Sequence, residues 1–188
     1  MCLLLVYTAA TKLLYCNMRK LKIALLSLVL LGVNEVYAQK EEVCEAVTTI
    51  LHDAPNKFRN IRGKQLETFS ATLWECGIKV PGTINSRIVE AMGLYYEGAL
   101  LQTGDVAQVR PLYGQYKKWL QECLVPQHYK MSLQENVYKG LEEYRKVVFL
   151  PNADEAGAPA AMSGHVALEV IFSKETGKYT LVLFVYHH

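Results

Sequence analysis

The run Leu181-Val182-Leu183-Phe184-Val185-Tyr186 constrains this chain more than any other, because a strand alternates its side chains and here both sets are apolar. Leu181, Leu183 and Val185 point one way; Val182, Phe184 and Tyr186 point the other. Such a strand is central and covered on both sides, or it uses one face to meet a partner. Val166, Leu168, Val170 and Phe172 alternate ahead of it, and Glu175-Thr176-Gly177 turns the chain between them, so residues 165–188 read as a hairpin.

Upstream, the apolar spacing changes to that of helices. Val43, Val47, Ile50, Leu51 and Ala54 recur at helical intervals, with Glu41, Glu42 and Glu45 in the first turns, where the helix dipole favours negative charge. Pro55 closes this helix at about 41–54. Val109, Tyr113, Tyr116, Leu120 and Cys123 form a second stripe over 105–124, capped by Asp105, with Pro111 and Gly114 predicting a kink or a start near residue 110. Strands are expected at 66–75, 84–92, 94–102 and 144–150, and a mobile loop at 151–164, where nine of fourteen residues are Ala, Gly or Pro.

The predicted architecture is α+β, with two helices on an antiparallel sheet in the order α-β-β-β-α-β-β-β. Ile50-Leu51, Pro55 and Phe58 have counterparts in Trp119-Leu120, Pro126 and Tyr129. That likeness suggests a duplicated α-β-β-β unit with halves 39–104 and 105–188.

Residues 18–38 read as a secretory signal peptide. Arg19, Lys20 and Lys22 precede the apolar run 23–33, and Val36-Tyr37-Ala38 places small residues before a cut at Gln39. The run has 11 residues, whereas a membrane-spanning helix needs about 20. A cleaved leader and no permanent membrane anchor are therefore expected. Residues 1–17 read as a mis-annotated upstream extension, and 39–188 as a single domain. Lys12, Arg19, Lys20, Lys22 and Glu35 lie outside that domain, so the whole-chain charge of +2 becomes −1 over 39–188. Nothing in that balance favours a nucleic-acid partner.

Cys44, Cys76 and Cys123 remain after the leader, in a compartment where thiols oxidise. Cys44 and Cys123 both fall on apolar helix stripes and form the favoured disulfide pair. Any of the three could also serve as a nucleophile if the fold set His128 or His165 beside it. His52, His128 and His165 are isolated, while His187 and His188 alternate across a strand, so no metal site and no cofactor is expected. GxSxG, P-loop and GxGxxG signatures do not occur. Glu142-Glu143 fits a solvated turn better than an acid/base pair.

Two binding features remain. Lys57, Arg59, Arg62 and Lys64 cluster after the first helix and could hold an anion or glycan through charge-assisted hydrogen bonds. Tyr95, Tyr96, Tyr138 and Tyr144, with Val182 and Phe184, offer the large, rigid contact surface favoured at protein interfaces. In architecture alone, the tandem helix-and-sheet order is similar to small secreted inhibitors of the beta-lactamase-inhibitory type, which grip another protein with a concave sheet. No motif is shared, so no residue is carried over. The expected function is that of an exported periplasmic or extracellular domain that is non-catalytic and binds a protein partner or itself, as an inhibitor or immunity factor does. The alternatives are a binder of small ligands, glycans or anions, and an enzyme with a spatially assembled Cys-His site.

Overall fold

The computed structural model describes residues 39–66, 71–135, 143–152 and 164–187. Helix α1 occupies 39–53, followed by β1 (Arg62–Leu66), β2 (Thr72–Cys76), β3 (Asn85–Glu90) and β4 (Leu94–Thr103). Helix α2 (Val106–Leu124) leads through a 3-10 turn (Val125–Gln127) into β5 (Tyr129–Glu135), β6 (Arg145–Pro151), β7 (Gly164–Ser173) and β8 (Lys178–His187). The expected leader and upstream extension lie outside the described residues, as do Tyr138, Glu142, His188 and 153–163 of the Ala- and Pro-rich loop.

The chain is α+β, with two helices packed on one face of an antiparallel sheet of eight strands ordered β1-β2-β3-β4-β8-β7-β6-β5. Helix-then-strands occurs twice, as expected, but four strands follow each helix instead of three. The additional strands, β1 and β5, are the two sheet edges. An edge strand needs only one weakly apolar side, so its sequence signal is faint. Gly63, Lys64 and Gln65 of β1 are exposed, and in β5 Tyr129 and Met131 alternate with exposed Lys130 and Ser132. The expected strand 66–75 takes in the end of β1 and most of β2.

Central β8 pairs with β4 on one side and β7 on the other, which is the position its two apolar faces require. Tyr179, Leu181, Leu183 and Val185 join the main core under the helices, while Val182 and Phe184 join a second cluster on the opposite face. Val43, Val47 and Ile50 of α1 and Val109, Tyr113, Tyr116 and Leu120 of α2 fill the main core. Cys44 and Cys123 join the helices by a disulfide, Cα to Cα 5.6 Å. Residues 42–188 form one compact unit.

Helix α2 begins at Val106, ahead of Pro111, because the Asp105 side chain accepts from Ala107 N at 2.9 Å and caps the first turn. The exit from α1 is held from inside. Asp53, 5% exposed, accepts from the backbone N–H groups of Asn60 (2.9 Å) and Ile61 (3.2 Å) and from the side-chain amides of Asn56 and Asn60. Lys57 and Phe58 between these anchors adopt positive φ, 58° and 53°. That geometry turns the chain sharply enough to bury the Phe58 ring completely.

Candidate functional site

Alternation along the central strands sets a row of side chains on the face opposite the helices. The register places Tyr95 opposite Tyr186, Glu97 opposite Phe184, Ala167 opposite Phe184 and His165 opposite Tyr186. Tyr95, Phe184 and Tyr186 form a triangle with centroids 5.8 Å (Tyr95–Phe184), 5.4 Å (Tyr95–Tyr186) and 5.6 Å (Phe184–Tyr186) apart. The His165 ring stacks on Tyr186 at 4.4 Å with 15° between the planes. Val148 of β6 packs against the same cluster. Aromatic pairs at these separations contribute beyond the area they bury, and they hold one another in fixed orientation.

Two cross-strand ion pairs flank the strip. Arg87 Nη2 lies 2.6 Å from Glu97 Oε1 on one side, and Lys146 Nζ lies 2.9 Å from Glu169 Oε2 on the other. Each charge on the flanks is thus met by its strand neighbour. Burial pushes the Tyr186 phenol up to about 12, with Glu169 and Tyr95 adding to the effect. Tyr95 is raised first by burial and then by Glu97. Both phenols stay neutral hydrogen-bonding tips at ordinary pH. Val182 and Phe184 are buried within the strip, whereas Tyr95 and Tyr186 are half-buried.

The expected contact residues separate on this geometry. Tyr95, Val182 and Phe184 lie together on the face opposite α1 and α2. Tyr96 does not: as the next residue after Tyr95 it points toward the helices, fully buried, with its hydroxyl donating to Ser86 Oγ at 3.3 Å. Tyr144 is also buried and donates to Glu169 Oε1 at 3.4 Å. Sequence reasoning does not mark Tyr186 or His165 as contact residues, and it does not anticipate the two ion pairs. The signal for Tyr186 was present in the alternation that carries Val182 and Phe184, while the ion pairs depend on register.

Of the four basic residues after α1, Arg62 is the one with described side-chain contacts. Arg62 lies flat on Trp74, 4.0 Å from guanidinium carbon to ring centroid, and donates to Lys57 O at 2.6 Å. Lys57, Arg59 and Lys64 are exposed. Cys44 and Cys123 are consumed by their disulfide, and burial raises the thiol of half-buried Cys76, the opposite of what activates a nucleophile. Glu143 is not on a solvated turn but buried, held by Arg110 and Arg145. Among the described residues no three His, Cys, Asp or Glu side chains gather as a metal site, and no helix is long and apolar enough to cross a membrane.

Comparison with protein-family models, with curated proteins and with solved structures finds no match to this chain.

Proposed function

We propose that this protein is an exported, non-catalytic domain that binds a protein partner through the sheet face opposite α1 and α2, as an inhibitor or immunity factor does. The observation that carries this reading is the Tyr95–Phe184–Tyr186 triangle set between two internally compensated ion pairs. Rigid aromatic anchors inside a polar rim are the anatomy of a protein-recognition surface. The balanced rim fits a partner surface without strong net charge, so binding should change little with ionic strength. The Cys44–Cys123 disulfide supports an oxidising compartment. The glycan or anion reading based on Lys57, Arg59, Arg62 and Lys64 is weaker, since Arg62 is committed to Trp74.

The test is site-specific photocrosslinking in whole cells, with a photoreactive residue at position 95, 148 or 186 and, as a control, at exposed His52 on α1. One discrete protein adduct from the three sheet positions and none from position 52 is the expected result. Equal adducts from position 52, or none from the sheet, would overturn the assignment.

A further inference from the structure

Beyond the aromatic triangle, toward the start of β3 and the end of β4, the same sheet face carries a pocket of about 280 Å³. Its polar lining is supplied by Asn85, Arg87, Glu97, Gln102 and Thr180. Ile84 and Ile171, both exposed, and Ala99 and Val182 complete the wall. A volume just below the usual small-molecule range leaves room for one ring-sized group.

The chemistry of this lining excludes most occupants. Arg87 and Glu97 neutralise each other at 2.6 Å, so neither a free anion nor a free cation finds an unmatched charge. None of the described lining residues is aromatic, so they give a planar heteroaromatic ring nothing to stack on. A wholly apolar group would strip water from five polar side chains and return no hydrogen bonds. What fits is a neutral, saturated, hydroxyl-rich group. Amide, guanidinium and carboxylate groups present donors and acceptors in planar pairs that match adjacent hydroxyls, and the isoleucine side chains match the C–H surface of a sugar ring. Arg87 has five donor N–H groups, of which Nη2 bonds Glu97 Oε1 at 2.6 Å, so the guanidinium retains hydrogen-bonding capacity.

We propose that this pocket is a binding site for a single uncharged sugar unit. It contains none of Tyr95, Phe184 and Tyr186, shares the Arg87–Glu97 pair and Val182 with the border of the aromatic face, and does not depend on the protein-docking reading.

The test is a protein-detected NMR titration of the secreted, disulfide-intact protein with the methyl glycosides of glucose, galactose and N-acetylglucosamine, and with inorganic phosphate as the contrasting probe. At least one glycoside should shift the resonances of Asn85, Glu97, Gln102 and Thr180, with affinity in the millimolar range expected of so small a ligand. Thr180→Val and Gln102→Ala should each weaken binding about fivefold, the loss of one net hydrogen bond. Lys118→Ala, on the exposed side of α2, should leave it unchanged. Gln102 is exposed, so its replacement keeps the fold intact. The proposal is overturned if no glycoside moves these resonances, if phosphate moves them as far, or if both pocket variants bind as the parent does. No protein partner is present in the titration, so its failure leaves the docking assignment untouched, and a failed crosslink leaves the sugar site untouched.

Discussion

Glu143 Oε2 accepts from both Nε and Nη2 of Arg110, at 3.3 and 2.9 Å, while the other carboxylate oxygen is held by Nε of Arg145. A carboxylate only 3% exposed is thereby fixed between the first turns of α2 and the start of β6. Burial alone would raise its pKa, but the hydrogen bonds from Arg145 and Arg110 outweigh that and hold it below the ordinary carboxylate value. Glu143→Ala removes hydrogen bonds to solvent-exposed Arg110 and to half-buried Arg145, which keeps Glu135 at 3.8 Å, and should cost about 2 kcal/mol, measured by urea unfolding at neutral pH.

The same site predicts an acid response. A carboxylate with a depressed folded pKa adds stability that is fully present above its unfolded value, about 4.3, and that disappears as pH falls through the folded value. The stability gap between the parent and Glu143→Gln should therefore shrink as pH falls from about 4.3 through the lower folded value. A stability gap that stays constant from neutral to acid pH would show that the carboxylate charge contributes nothing.

The disulfide predicts a large and separable effect. Cys44 and Cys123 are 79 residues apart, and closing a loop of that length removes denatured-state freedom worth about 4.5 kcal/mol in the chain-entropy model. Reduction, or the double substitution Cys44→Ala with Cys123→Ala, should lower the urea midpoint accordingly. Cys76→Ser should not reproduce the reductant's effect.

Asp53 gathers four donors from residues 56–61 onto one buried carboxylate. Asp53→Ala should destabilise by roughly 2–4 kcal/mol, because two backbone N–H groups lose their acceptor. Amide exchange offers a local readout. Protection at Asn60 and Ile61 should collapse while that of β7 and β8 persists.

The tyrosines predict alkaline sensitivity. Burial pushes Tyr116, Tyr129 and Tyr186 each up to about 12. Tyr116 is also tied down by its hydroxyl, which donates to Pro81 O at 2.6 Å. Their neutral forms are favoured in the fold, so the stability they contribute is complete below about pH 10 and falls as pH rises toward 12. Ultraviolet titration of phenolate should resolve a late-ionising group of tyrosines that merges with the rest in denaturant.

Fold class was legible because the strongest patterns belong to elements with most to bury. The helix stripes through Val47 and Tyr113, and the double-faced β8, declare themselves without neighbours. β1 and β5 did not, since an edge strand such as Arg62–Leu66 is mostly exposed and its short alternation resembles a connection. The candidate face was half legible. Val182 and Phe184 followed from alternation, but choosing Tyr95 over Tyr96 required knowing which side the helices cover. Arg87 with Glu97 and Lys146 with Glu169 are separated by 10 and 23 positions, and only strand register brings them together.

The four-strand sets after α1 and α2 meet along β4 and β8, while Cys44–Cys123 crosses the helical layer above them. Under mechanical load the hydrogen-bonded junction can unzip while the covalent clasp holds. The parted halves then remain at the high local concentration of a tethered pair. That second tether, added to the chain connection from β4 into α2, narrows the ways in which the halves can mis-pair on recoil. A domain built this way can part along the β4–β8 seam and close again in its original register.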